Sequence, residues 1–394
     1  MTWPIVRVGD VAEQIRGVTF GKADTVASPG RGLIPVMTAT NVTERGLVVE
    51  STLYLPEEKA STRQRLREGD VIVTTSSGSL SVVGRAVRVE SALHATFGAF
   101  CKVLRPSSAV DQRFFAHFFR TSEYRATVAR LAAGANINNL RNEDLDNLSL
   151  PLPPLSEQRR IASILDAIDS RRRDRLRTLE LLTGLSATLV LDGTRRDRPV
   201  YALGEIAEVQ GGLTVSASRV RHERQVGYLR VANVGRGRVD TKDLKLLGVT
   251  DDEVARVSLR AEDLLLVEGH GNPDEVGRAA RWRGSSEPVV HQNHLIRVRA
   301  NESFVEPRFL EAYINGPQGR RYFRSAARTT SGLNTINLTS VRNMPIDLPS
   351  LEIQGEIASD LSAIEHHVRK VRSHLARFDE LFYSVQRCAF GGAL

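Results

Sequence analysis

The stretch Val8-Gly9-Asp10-Val11-Ala12-Glu13 returns as Leu203-Gly204-Glu205-Ile206-Ala207-Glu208, and four further blocks return in the same order. Glu68-Gly69-Asp70-Val71-Ile72 answers to Ala261-Glu262-Asp263-Leu264-Leu265, and Val83-Gly84-Arg85-Ala86 to Val276-Gly277-Arg278-Ala279, both displaced by 193 positions. Arg113-Phe114-Phe115 corresponds to Arg308-Phe309-Leu310, and Leu152-Pro153-Pro154-Leu155-Ser156-Glu157-Gln158 to Leu348-Pro349-Ser350-Leu351-Glu352-Ile353-Gln354, displaced by 195 and 196. So small a drift describes two copies of one architectural unit that differ by short loop insertions. The period is far longer than the roughly 20 to 50 residues of a solenoid repeat.

Within each copy the pattern changes character once. Short runs rich in β-branched and aromatic residues, bounded by Gly, Ser or Pro, predict strands at residues 32–37, 70–74, 85–89 and 99–104. A helix is predicted from Gln112 to about Leu131, where Phe115, Phe118, Phe119 and Tyr124 recur at near-helical spacing. Leu150-Pro151-Leu152-Pro153-Pro154 cannot be helical and closes the mixed α and β unit.

A long helix follows, with Ser156 as the expected N-cap, Glu157 in the first turn, and no break until Gly184 at the earliest or Asp192-Gly193 at the latest. In the second copy Ile357, Leu361, Ile364, Val368, Val371, Leu375, Phe378, Phe382 and Val385 alternate steps of four and three, a sustained heptad seam. The equivalent seam of the first copy is interrupted by Arg172 and Arg175, so that helix either twists or turns to Leu176. Two such seams in one chain are natural partners. A helix of about 30 to 35 residues spans roughly 45 to 50 Å, and DNA half-sites one helical turn apart lie about 34 Å from centre to centre. Two similar but unlike domains on such a spacer suit an asymmetric pair of short DNA sequences.

Composition agrees and excludes other classes. The 394 residues suffice for two or three domains, and 41% hydrophobic with 25% charged residues is ordinary for a globular chain. No apolar run reaches the about 18 residues of a membrane span, and Met1-Thr2-Trp3-Pro4 does not open a signal peptide, so a cytoplasmic location is expected. Cys101 and Cys388 alone support neither a disulfide framework nor a thiolate metal site. The net charge of +8, from 54 Lys and Arg against 46 acidic residues, is a weak pointer to a polyanion.

On its twice-repeated opening, on Gly69-Asp70-Val71-Ile72 with Glu262-Asp263-Leu264-Leu265, and above all on Leu152-Pro153-Pro154-Leu155-Ser156-Glu157-Gln158-Arg159-Arg160-Ile161-Ala162, the whole chain resembles the specificity subunits of type I restriction-modification systems. The second copy departs from the last block with Ser350 and Glu352-Ile353-Gln354. The resemblance implies an α+β fold: two target recognition domains separated by two long antiparallel coiled-coil helices, as a pseudo-twofold internal repeat. The expected boundaries are residues 1–154 and 193–349 for the recognition domains, 155–192 and 350–388 for the spacer helices, and 389–394 for a C-terminal tail. It further implies double-stranded DNA, two modification (methyltransferase) subunits and a restriction/translocase subunit as partners, with S-adenosylmethionine, ATP and Mg on those partners and no cofactor, metal or catalytic residue in this chain.

Where the family places DNA-facing loops, the second copy holds His270-Gly271-Asn272 and His291-Gln292-Asn293. The first holds Ser76-Ser77-Gly78-Ser79 and Ala95-Thr96-Phe97, a different chemistry of the kind two unlike half-sites require. Arg328-Thr329-Thr330-Ser331 and Asn334, with Asn136 and Asn138 in the first copy, form a second group of candidates. Arg219 and Arg221, with Arg224, are candidates for phosphate contacts. Ordinary turn, capping and solvated-face roles stay open for all of these. Arg171-Arg172-Arg173 and Arg175 point either to the DNA gap or, preferred here, to acidic patches on the modification subunits.

Catalytic motifs are missing. Asn272-Pro273-Asp274 begins like the adenine-methyltransferase motif but lacks its end and reads as a turn, and no Gly-x-x-x-x-Gly-Lys-Ser/Thr sequence occurs. His291 and His294, three apart in an extended run, would face opposite sides and not share a metal. The alternatives are a recognition adaptor of another DNA-modifying defence complex, and an enzyme that modifies DNA alone.

Overall fold

The computed structural model describes residues 3–44, 46–50, 52–132, 139–193, 198–330 and 332–391, which form two compact units: residues 1–175 with 374–394, and residues 176–373. In the first unit a four-stranded antiparallel sheet runs in the order Ala12–Arg16, Cys101–Pro106, Val71–Thr74, Ala86–Arg88. A second sheet joins Leu53–Pro56, Leu33–Met37 and Thr96–Phe97, the last pairing parallel. The second unit has the same two strand orders. Ala207–Gly211, Leu295–Ala300, Leu264–Val267 and Ala279–Arg281 form one sheet, and Lys245–Gly248, Gln225–Leu229 and Val289–His291 the other, again with a parallel last pair. Val71, Ile72 and Val73 are fully buried, as are Leu264, Leu265 and Leu266, because both faces of the central strand are covered.

The repeated sequence blocks are the joints of this scaffold. Asp70 accepts from the Arg67 amide at 2.8 Å and takes both ends of the Arg105 guanidinium at 2.8 and 2.9 Å. Asp263 does the same with the Arg260 amide and Arg299, each bond 2.7 Å. The residue before each aspartate is left-handed: Gly69 has φ 88°, and Glu262 holds φ 73° while its carboxylate pairs with Arg281. Gly84 and Gly277 both have φ 71°, and a Cβ there would come within 2.4 Å of Val128 and of Phe323, respectively. Only glycine meets both demands.

The aromatic run after residue 111 forms two helices, Gln112–Phe118 and Ser122–Ala132, not one. Thr121 ends the first by donating to the Phe118 carbonyl and opens the second by accepting from the Tyr124 amide, which breaks the expected continuous helix. Their rings pack with Val8, Leu104, Ile161, Leu165 and Phe382 in the core of the first unit.

The long helices run Leu155–Gly193 and Leu351–Phe390. In the first, the Pro154 carbonyl already accepts from the Glu157 and Gln158 amides, so Ser156 lies inside the first turn and is not the cap. Behind that turn, buried Gln158 accepts from the Asp111 amide at 2.8 Å and donates to the Pro153 carbonyl at 2.7 Å. Gln354 repeats this, accepting from the Glu306 amide at 2.8 Å and donating to the Pro349 and Phe304 carbonyls at 2.8 and 3.0 Å. Both amides lock a long helix to the start of its unit's aromatic helix.

Arg172 interrupts the apolar seam without disrupting it. Within the first unit it pairs with Asp379 and Asp169 and lies 5.5 Å from the Phe382 ring, where Arg120 lies 4.9 Å away. The seam does not turn to Leu176, which is 37% exposed. In the second unit Val190 packs with Ile357 and Leu361.

Candidate nucleic-acid interface

One backbone station recurs in both units and gathers most of the candidate residues. In the second unit the Glu268 amide donates to the His294 carbonyl at 3.1 Å, and the Glu268 carbonyl accepts from the Ile336 amide at 2.9 Å. Three distant segments thereby meet: the loop after residue 268, the turn at 292–294 and the hairpin at 328–335. In the first unit the Thr75 amide donates to the Phe100 carbonyl at 2.9 Å, and the Thr75 carbonyl accepts from the Leu140 amide at 2.8 Å. The pairing of Ser76 with Asn139 matches that of Gly269 with Thr335.

In the second unit Gly269–His270, Leu333–Thr335 and Arg328–Thr330 make a small antiparallel sheet, turned at Gly332 with φ 80°. The Thr329 hydroxyl donates to the Asn334 side-chain carbonyl at 2.8 Å, and the Asn334 amide group donates to the Gly271 and His270 carbonyls at 3.1 and 3.4 Å. His270 Nδ1 accepts from the Asn272 amide at 3.0 Å. Asn272 caps the turn Pro273–Glu275 by accepting from the Asp274 amide at 3.0 Å. The strand Arg328–Thr330 closes this sheet, and Arg328 and Thr329 are exposed. Gln292 and Asn293 sit in the adjoining turn, half-buried, their amides donating to the Leu229 and Leu213 carbonyls at 3.0 and 2.9 Å.

Two candidates are corrected. His291 is fully buried at the end of its strand, beside Arg297. Burial first, and the Arg297 charge second, hold its imidazole down to about 4, and neither ring nitrogen makes a well-formed hydrogen bond, though the Gln210 and Val257 backbones face the ring. Its side chain belongs to the core and is not presented to solvent. Arg219 is also committed elsewhere, donating to the Thr214 and Gly248 carbonyls at 2.6 and 3.1 Å and to both Glu253 oxygens at 2.9 Å. That hydrogen bonding holds the Glu253 carboxyl down to about 2. Arg219 thus pins the loop from Leu213 instead of offering itself to phosphate, while Arg221, at the end of the turn Ala217–Arg221, is exposed. Arg224 pairs with Asp251.

In the first unit Ser76 and Ser77 are half-buried and lead into the exposed Gly78 and Ser79. The Ser79 amide donates to the Ser77 hydroxyl at 3.2 Å, and the Ser79 and Ser81 hydroxyls are hydrogen-bonded to each other at 2.9 Å. Asn136, Asn138 and Ser331 lie outside the described residues. Ala95, Thr96 and Phe97 are buried and are not the counterparts of His291-Gln292-Asn293. Val18 bridges Gly98 as Leu213 bridges Gln292, so the true counterparts are Phe97-Gly98-Ala99, and Phe100 stands where His294 stands. Sequence reasoning missed Phe100 as a site residue. It is 68% exposed on a turn closed by the Cys101 amide donating to the Gly98 carbonyl. His294, its partner, lies 3.0 Å from Glu268.

Among the described residues no group of three or more His, Cys, Asp or Glu is placed to hold a metal ion, and no helix is long and apolar enough to cross a membrane.

Comparison with known proteins points in one direction. Residues 1–180 match the type I restriction modification DNA specificity domain. The chain is 28% identical to the type I restriction enzyme StySPI specificity subunit of Salmonella potsdam and 29% identical to the EcoKI specificity subunit of Escherichia coli, in each case over 100% of this chain and 89% of the relative. In fold it resembles the crystal structure of a type I restriction-modification S subunit from M. genitalium, with a TM-score of 0.59 and 14% identity over 99% of this chain and 96% of that one. With the repeated blocks acting as scaffold joints in both units, the chain is similar over its whole length to type I restriction-modification specificity subunits, and its first 180 residues match their DNA specificity domain.

Proposed function

We propose that this chain reads DNA sequence for a type I restriction-modification system, each unit taking one half of an asymmetric, bipartite target. The observation that carries the reading is the recurring station: the same backbone relay through Thr75 and Glu268 presents Ser and Phe side chains in one unit and His, Asn, Thr and Arg side chains in the other. Unlike side chains on one frame are what two unlike half-sites require, since bases are told apart by donors, acceptors and methyl groups in the major groove. Arg221 and Arg328 suit phosphates, whose contacts fix register and make binding salt-dependent.

The remaining parts of the reading follow from the likeness to type I specificity subunits. The long helices pair antiparallel as a spacer that sets the unspecific gap, and two modification (methyltransferase) subunits and a restriction/translocase subunit assemble on the chain. S-adenosylmethionine would be bound by the modification subunits, and ATP and Mg by the translocase. Exposed Arg171 on the first helix suits an acidic patch on a modification subunit.

The deciding experiment is a genome-wide map of modified bases in the native host with and without this gene. Loss of one methylated motif with two different halves is the expected result. An unchanged map overturns the reading.

A further inference from the structure

Phe100 is an apolar ring held in water by a backbone with no freedom to withdraw it. The Phe100 carbonyl accepts from the Thr75 and Ser76 amides at 2.9 and 3.2 Å and from the Thr75 hydroxyl at 3.2 Å. On either side the Ala99 amide donates to the Val18 carbonyl and the Cys101 amide to the Gly98 carbonyl, both at 2.9 Å. Gly98 itself is pinned by donating to the Met37 carbonyl at 2.9 Å, with the Phe20 ring 2.9 Å from where its Cβ would stand. The ring is nevertheless 68% exposed, and Leu80, in the same loop region, is 50% exposed. A scattered surface hydrophobe needs no explanation. A ring on the most tightly bonded turn of the candidate interface does.

The duplicated frame sharpens the point. The equivalent turn of the second unit, closed by the Leu295 amide donating to the Gln292 carbonyl at 2.9 Å, presents His294. That imidazole is oriented by Glu268, and Glu268 occupies the place of Thr75. One backbone position therefore carries an apolar ring in one unit and a carboxylate-oriented imidazole in the other.

We propose that Phe100 is a specificity-determining residue which contacts the 5-methyl group of a thymine in the half-site read by the first unit, and that His294 replaces this contact with a hydrogen bond in the other half-site. The inference rests on the function proposed above. In the major groove thymine alone offers a methyl group, and a phenyl ring is among the side chains that read it. Neither Ser77 nor Ser79 can do so by itself, because a hydroxyl bonds to several base edges.

The test uses the complete complex of this chain with its modification subunits, on duplexes carrying the motif taken from the base map. Replacing each half-site thymine in turn by deoxyuridine removes only the methyl group. At one position in the first unit's half, this should weaken binding about tenfold. Phe100→Ala should give the same loss on the thymine duplex, show no further loss on the deoxyuridine duplex, and relax the methylated motif at that position alone. Phe100→Leu should keep most of the preference, which a merely structural role would not predict. The inference is overturned if wild-type binding ignores every deoxyuridine substitution, as a ring wedged between base pairs would, or if Phe100→Ala weakens binding equally at all sequences. If deleting the gene leaves the base map unchanged, the function itself fails. A map that depends on the gene but not on Phe100 refutes this inference alone.

Discussion

The two units agree where the chain must hold itself together and differ where it meets solvent at the shared station. Asp70 with Arg105 and Asp263 with Arg299, Gly84 and Gly277, Gln158 and Gln354 solve the same local problems with the same chemistry. Phe100 against His294, and Ser76 to Ser79 against Gly269 to Asn272, share a backbone and nothing else. One core difference breaks the rule: His291 and Arg297 stand where the first unit has Phe97 and Val103. Similarity therefore marks load paths, and on the proposed function divergence on a shared frame marks readout.

The comparison is broken most completely by exchange. Replacing residues 1–150 with the corresponding domain of a type I specificity subunit should change one half of the methylated motif and leave the other intact. If both halves change together in the base map, the units do not read independently.

Next in size, Gln158→Ala and Gln354→Ala each leave buried backbone groups without partners and should cost about 2 to 4 kcal/mol. Equal losses in urea unfolding would show the two joints to be equivalent, and a loss confined to one would break the symmetry.

A smaller effect separates the cores. His291 is neutral in the folded chain because its pKa is lowered to about 4 from 6.5, so the unfolded chain binds the extra proton between those values. Stability of the second unit should then fall as pH drops from about 6.5 toward 4, by on the order of 1 to 3 kcal/mol. His291→Phe should flatten that slope, and thermal melts across this pH range check it.

Smallest is Arg219→Ala, expected to cost about 1 to 2 kcal/mol at pH 7. Glu253 has a folded pKa of about 2 against 4.5, so its contribution is present above 4.5 and is lost as pH falls toward 2. The variant's deficit should shrink over that window. Because Arg219 is a loop anchor, the salt dependence of DNA binding should stay unchanged, whereas Arg221→Ala should reduce the salt slope by about 1.

Much of the scaffold was legible in the sequence because a left-handed glycine or a buried cross-strand ion pair tolerates few replacements, so the second copy had to repeat it. The sheet strands and long helices followed from the same periodicities. The site was legible only in part. His270, Asn272, Thr329 and Asn334 are brought together by a sheet of segments some sixty residues apart, and no local pattern announces that. The pairing of Ala95-Thr96-Phe97 with His291-Gln292-Asn293 slipped by two residues because no repeated identity fixes the register there. Arg219 looked like a free charge since its acceptors come from Thr214, Gly248 and Glu253, and only the last two are remote. A signal for Phe100 did exist: an aromatic residue in the tight turn between two strands.

The amides of Gln158 and Gln354 bond only to main-chain atoms: the amides of Asp111 and Glu306 and the carbonyls of Pro153, Pro349 and Phe304. Such a fitting asks nothing of its partner's identity. A recombination event that brings in a foreign recognition module needs no compensating change at this junction, provided the module starts its helix in the same way. The joint that locks each long helix is thus also one that an exchanged module could inherit unchanged.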